Sequence, residues 1–160
     1  MPSFSRANDN SRSLKDELVN LEAAVRENSG DAISHYNLAS AYHEIGLREK
    51  SIVEYKVALK IDPDFPEAHN NLGLVYFQLG KNEDAVSEYE KALSLFPDYP
   101  EAHFGLGIAH YLKNEETKAL QHLQRAEELF DFTGDPDKRK QVTKMLTIIK
   151  MKSRKLKDMF

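Results

Sequence analysis

The chain contains no cysteine and no tryptophan. Without cysteine there can be no disulfide, no thiolate metal site and no cysteine nucleophile. No uninterrupted apolar run approaches the ~18 residues that a helix needs to cross a bilayer. The opening stretch, MPSFSRANDNSRS, is polar and lacks the apolar centre of a secretory leader. These absences fit a cytoplasmic protein. Catalytic signatures are equally scarce: there is no Gly-rich phosphate loop and no nucleophile elbow, and His43-Glu44 lacks the second histidine of a zinc-hydrolase helix. The adjacent pairs Glu115-Glu116 and Glu127-Glu128 point away from each other on a helix and are read as solvated. The expectation is a protein that is no enzyme, with no cofactor and no metal.

Charge is present but unevenly placed. The net charge of −4 combines a body from Asp31 to Asp131, with nine Lys+Arg against eighteen Asp+Glu, and a segment from Phe132 to Phe160, with nine against three. An acidic body followed by a basic tail is an asymmetry that asks for a partner or a contact.

Repetition is the dominant signal. PEAHNNLG at 66–73 returns as PEAHFGLG at 100–107, and the same interval earlier stands AISHYNLA at 32–39. Each copy reads as two short amphipathic helices. In the middle copy the first spans about Pro66 to Leu79, with Leu72, Val75, Tyr76 and Leu79 at helical spacing. Proline suits its first position, and Gly80 ends it by accepting a left-handed backbone. A second helix runs from about Glu83 to Leu95, and Pro97 prevents its continuation. Gly46 and Pro63 hold the corresponding places in the first copy, and Asn114 takes the glycine's place in the third. Small residues mark close helix crossings: Gly73, Gly107, Ala85, Ala119, Ala92 and Ala126. Single hairpins of this length cannot bury their apolar faces, so a fixed period predicts an all-α stack with a shared core.

The middle copy, His69-x2-Leu72-Gly73-x2-Tyr76, then Ala85-x3-Tyr89, then Pro97, resembles a tetratricopeptide repeat (TPR) with histidine in place of the opening tryptophan. The first copy keeps Leu38, Tyr42, Tyr55, Ala58 and Pro63, with Ala39 and Ser51 at small positions. The third keeps Leu106, Gly107, Ala119 and Ala126 and departs at His110, Leu123 and Asp131. The resemblance implies a right-handed superhelical solenoid of antiparallel helix pairs, with repeats at 31–64, 65–98 and 99–132. It places His35, His69 and His103 where the family puts a core aromatic, so they are read as packing residues. His103 and His110 are two turns apart, too far to share a metal ion.

The flanks are expected to cap the stack. Residues 1–12 read as a disordered arm. Residues 13–30 carry Leu14, Leu18, Leu21 and Val25 on one stripe, a possible half repeat. In 133–160, Asp135 and Pro136 start a helix whose Val142, Met145, Leu146 and Ile149 should pack on Leu120, Leu123 or nearby residues of the third repeat, leaving its basic end in solvent.

Proteins of this family bind peptides or other proteins in the concave groove lined by the first helix of each pair. The resemblance therefore implies a binding stripe of Tyr36, Ser40 and His43, then Asn70, Leu74 and Phe77, then Phe104, Ile108 and Tyr111. Six of these nine are apolar or aromatic, which fits a protein or peptide with apolar anchors, as an extended segment or an amphipathic helix. Coverage of the groove by the chain itself, or by a second copy in a homo-oligomer, is the alternative. The lysine, asparagine and arginine grip by which heat-shock co-chaperones hold a C-terminal carboxylate would fall on Tyr36, Ser40, Asn71, Glu101 and Gly105. Only Asn71 fits, and Glu101 repels a carboxylate, so no ligand of that kind is expected. A second candidate surface is the basic tail, Lys150, Lys152, Arg154, Lys155 and Lys157, edged by Met151, Leu156, Met159 and Phe160. It would suit anionic lipid, nucleic acid or self-association. The acidic body opposes nucleic acid, and neither nucleic acid nor membrane is the expected partner.

Overall fold

A computed structural model describes the backbone of residues 4–157 and the side chains of residues 15–154. Among the described residues it contains eight helices and no strand. They are α1 (Phe4–Glu27), α2 (Ala32–Glu44), α3 (Arg48–Ile61), α4 (Pro66–Gln78), α5 (Asn82–Leu95), α6 (Pro100–Leu112), α7 (Glu116–Thr133) and α8 (Pro136–Lys157). The pairs α2/α3, α4/α5 and α6/α7 are the three repeats. Each helix packs on the next in chain order, and α4 also touches α2 and α6, so the first helices share one side of the stack.

Local chemistry sets the helix ends. Asp31 caps α2 by accepting from the Ser34 backbone N–H at 2.9 Å. Hydrogen bonds from the Ser34 hydroxyl and backbone hold the Asp31 carboxyl below its ordinary range. Pro66, Pro100 and Pro136 stand at the first position of α4, α6 and α8, where a missing N–H leaves nothing unpaired. The three hairpin turns are superimposable in their bonding. Gly46, Gly80 and Asn114 adopt φ of 81°, 73° and 59°. The next residue in each case donates back to Tyr42, Tyr76 or His110, at 2.8–2.9 Å. That closes the orphan carbonyls at the helix end.

Two departures from the sequence pattern stand out. α1 starts at Phe4, not at Ser13, because no proline or glycine interrupts the chain from Phe4 to Asn28. The apolar stripe alone had set the expected boundary; Leu14 lies outside the described side chains. α7 is longer than α3 and α5. Asp131 replaces the proline that ends the earlier second helices, so the helix continues until Gly134 turns left-handed at φ 74°.

Close approach between helices rests on small residues. Ser51, Ala85 and Ala119, and two turns later Ala58, Ala92 and Ala126, are all fully buried on the second helices. Opposite them, a Cβ on Gly73 would stand 3.0 Å from the Tyr89 ring, and one on Gly107 would stand 2.6 Å from Leu123 Cγ. The large residues Tyr55, Tyr89 and Leu123 fill the space between neighbouring first helices and are themselves buried. Burying each such side chain contributes roughly 1.5–3 kcal/mol.

α8 occupies the place of a fourth first helix. Its Val142, Leu146 and Ile149 are buried against Ala119, Leu123, Ala126 and Phe130, with Leu120 and Met145 at the edge. Polar contacts fasten it along its length: Lys138 to Glu101 at 2.6 Å, Arg139 to Asp131 at 2.6 Å, Thr143 to Glu127, and Ser153 to Glu116. At the other end α1 packs on α2, and the Tyr42 hydroxyl donates to Glu22 at 2.9 Å. Burial and the Glu22 carboxylate push the Tyr42 hydroxyl up to about 12.

Candidate binding groove

The side of the stack shared by α2, α4 and α6 carries two hollows. The first lies between α1, α2 and α4, walled by Glu17, Leu21, Tyr36, Ser40, His43 and Asn71. The second, of ≈ 460 Å³, lies between α4, α6 and α8 and is walled by Leu74, Phe77, Phe104, Ile108, Tyr99 and Gln141 among others. Its volume falls within the ~300–1,000 Å³ of ordinary ligand pockets.

Eight of the nine stripe residues divide between these hollows in different environments, and Tyr111 lines neither. Tyr36 is half-buried, its ring 4.8 Å from Phe65 and 5.8 Å from Tyr55, and its hydroxyl accepts from the Asn71 amide at 3.0 Å. Ser40 shares a hydrogen bond of 2.9 Å with the Tyr55 hydroxyl. His43 donates through Nε2 to the Gln78 carbonyl oxygen at 2.9 Å, and Arg48 donates to the same oxygen. Leu74, at 37%, is the most exposed apolar residue of the stripe. Phe77, Phe104, Ile108 and Tyr111 are half-buried, and Lys152 sits 5.3 Å above the Tyr111 ring.

Asn70 differs from the expected open position, because it is only 6% exposed. Its amide donates to Asn71 at 3.1 Å, while its carbonyl oxygen is buried at the cavity wall without a hydrogen-bond partner. An unpaired buried acceptor costs about 1–3 kcal/mol.

Several lining residues escaped the sequence pattern. Gln141 and Lys138 reach the second hollow from α8. They were hidden because the step from Pro100 to Pro136 is two residues longer than the step from Pro66 to Pro100. Allowing for the longer step aligns Gln141 with Gly105 and Val142 with Leu106. Lys138 is bound to Glu101 and also lies 3.5 Å from Asp135; the Glu101 carboxylate, above all, raises its ammonium.

The repeating histidines do more than fill space. His35 bridges the Glu54 carboxylate at 2.6 Å and the Ser29 carbonyl at 3.2 Å; His69 bridges Glu88 at 2.6 Å and Pro63 at 3.0 Å. Each clasps its own hairpin and the preceding loop. Burial pushes the Glu88 carboxyl up, but hydrogen bonds from His69 and Lys91 outweigh it and leave the group below its ordinary range. His103 meets His122 instead, Nδ1 to Nδ1 at 3.0 Å. Among the described residues no three His, Asp or Glu side chains converge as metal ligands.

On the outer side of α8, Arg139, Lys140, Thr143, Lys144, Thr147 and Ile148 line an open depression. Ile148 and Met151 are 46% and 65% exposed. Lys150 and Arg154 are exposed, whereas the side chains of Lys155, Leu156 and Lys157, and residues 158–160 entirely, lie outside those described. No described helix is long and apolar enough to cross a membrane.

Comparison with known proteins agrees with this architecture. The TPR repeat family matches residues 49–80 and 74–114. A crystal structure of MamA protein has 25% identity and a TM-score of 0.67, covering 78% of this chain and 68% of that one. A second MamA crystal structure, at 16% identity and TM-score 0.69, covers 97% and 99%. The first TPR of Spaghetti (RPAP3), described as bound to the HSP90 peptide SRMEEVD, has 24% identity and TM-score 0.71 over 79% of this chain and 96% of that one. No curated protein sequence matches. With its period, turns and helix pairs all in register, the chain folds as a tetratricopeptide-repeat solenoid.

Proposed function

We propose that this protein is a non-enzymatic adaptor or assembly scaffold, and that its groove holds a peptide or helix of a partner protein. The observation that supports it is the second hollow, where Leu74, Phe77, Phe104 and Ile108 from two successive first helices face one space bordered by amides. Aromatic and aliphatic walls take an apolar anchor. Asn71 and Gln141 suit a partner's backbone, and a donor reaching Asn70 would relieve its unpaired oxygen. The six apolar groove side chains already have half or more of their surface covered, so occupying the groove gains at most about half of the ~1.5–3 kcal/mol that full burial gives each, roughly 5–9 kcal/mol gross. Association and ordering costs bring the expected affinity nearer to micromolar than to picomolar.

The peptide-bound RPAP3 structure shares the architecture. A carboxylate-gripping mode is not part of the proposal: Glu101 occupies one of the required places, and the nearby cation, Lys138, is already paired with it. The test is selection from a randomised peptide library, followed by fluorescence polarisation with the peptides recovered. Enriched aromatic or leucine anchors are expected, with affinity falling at least tenfold in Phe77→Ala/Phe104→Ala while helicity persists. Peptides that bind the double variant equally well would rule the groove out.

A second reading comes from α8, whose outer face sets Lys140, Lys144 and Lys150 beside exposed Ile148 and Met151. Such a face suits an anionic surface or the acidic body of a second copy. Salt-sensitive sedimentation with anionic vesicles, compared with salt-dependent self-association, separates the two.

A further inference from the structure

At the position nineteen residues after the repeating histidine, two of the three hairpins are clasped by histidine and glutamate, and the third is not. Glu54 and Glu88 follow His35 and His69 by nineteen residues; the same step from His103 arrives at His122. The Pro97 carbonyl, 3.0 Å away, takes the Nε2–H of His103. That leaves His103 Nδ1 as an acceptor, and His122 must donate to it through its own Nδ1. The contact is complete with both rings neutral.

Its surroundings offer little to balance added charge. From α6, His110 stacks on His122 with ring centroids 5.5 Å apart, and its Nδ1 is held by Glu115 at 2.6 Å. Glu115 is also paired with Lys118 of α7 at 3.4 Å. The charges that act on His122 are those of His103 and His110, both of its own sign when protonated. On His103, Arg125 of α7 disfavours charge and Asp98 of the α5–α6 loop favours it. Those two are bound to each other at 2.5 Å, which blunts both.

We propose that the third repeat is an acid-sensitive element of the solenoid: protonating the His103–His122 pair sets like charges between α6 and α7 and loosens that hairpin, while the histidine–glutamate clasps keep the first two closed. Burial, reinforced by His103 and His110, holds the His122 imidazole down to about 4, and burial lowers His103 as well. An opened hairpin therefore binds protons that the closed one refuses. Its stability is complete above the ordinary histidine value of about 6.5 and declines as pH falls toward the folded value. On the groove reading, the same event withdraws Phe104 and Ile108 from the second hollow and undermines the α7 face on which α8 rests. The acid sensitivity itself does not depend on that reading.

Amide hydrogen exchange of the full chain, followed by mass spectrometry and corrected for intrinsic rates, tests the proposal. Between about pH 7.5 and pH 5, protection of α6 and α7 should fall roughly fivefold more than that of α2 to α5, a figure that allows for the partial exposure of both rings. His122→Glu restores the clasp of the other repeats and should abolish the difference. His122→Gln, which takes up no proton, should do the same and covers the case in which the glutamate disturbs folding. Equal loss of protection across all hairpins, or a selective loss that survives in both variants, would overturn the proposal. So would an NMR titration placing the His122 imidazole at the ordinary histidine value.

Discussion

Replacing Gly107 with alanine should destabilise this protein, although in an ordinary helix interior the same change helps. The helix preference gains about 1 kcal/mol. Against it stands geometry: the added Cβ would lie 2.6 Å from Leu123 Cγ, 2.8 Å from Cδ2 and 3.3 Å from the Ala119 carbonyl oxygen. Carbon atoms in contact normally stand ~3.5–4.0 Å apart. Leu123 is fully buried between α6, α7 and α8 and has no free direction in which to retreat. Overpacking of this kind costs about 1–3 kcal/mol, so the net effect should be a loss of up to about 2 kcal/mol. The diagnostic step is a double-mutant cycle. Leu123→Ala alone should cost ~2–5 kcal/mol. Gly107→Ala introduced into that background is freed of the Leu123 clash and keeps only the 3.3 Å approach to the Ala119 carbonyl oxygen, so its sign should reverse to a gain of up to about 1 kcal/mol. Urea unfolding by far-ultraviolet circular dichroism, with the slope checked for constancy, measures all four proteins. A stabilising Gly107→Ala in the wild-type background would refute the close helix crossing on which the repeat register rests.

Other outcomes follow from the same geometry. Glu88→Gln should cost about 1 kcal/mol near neutral pH, after discounting for partial exposure, because charge-assisted bonds to His69 and Lys91 are lost. The folded Glu88 carboxyl lies below its ordinary value, so its contribution is present above that value and fades as pH falls. Thermal melts of the two proteins should therefore converge in acid; a gap independent of pH would contradict the clasp. Removing everything after Met151 should leave stability nearly unchanged, whereas removing the chain from Asp135 uncovers Leu123, Ala126 and Phe130. The shorter protein should bind a hydrophobic dye and aggregate, and a soluble monomer of unchanged stability would show that α8 covers no core. The groove variants should each lose about 1 kcal/mol or more of stability, because Phe77 and Phe104 already pack against the core. Partner affinity must therefore be compared at temperatures well below both transitions.

The sequence alone determined the period, the helix pairs and their ends. Those features depend on residues that act locally: a proline at a helix start, Gly46, Gly80 or Asn114 at a left-handed turn, and a small residue wherever a helix crossing recurs at thirty-four. It placed the first helices on a common side and the apolar half of the last helix toward the third repeat. What it left open depends on side chains from distant positions meeting. Asn70 belongs to the stripe by spacing, yet its burial arises from packing among neighbouring helices. Gln141 and Lys138 enter the groove only because α8 stacks as a further first helix after a longer step. The histidines occupy core positions in the pattern, but whether each finds a carboxylate or another imidazole depends on the facing residue of α3, α5 or α7. A helical period specifies which residues share a face; the angle and separation of packed helices decide which faces meet.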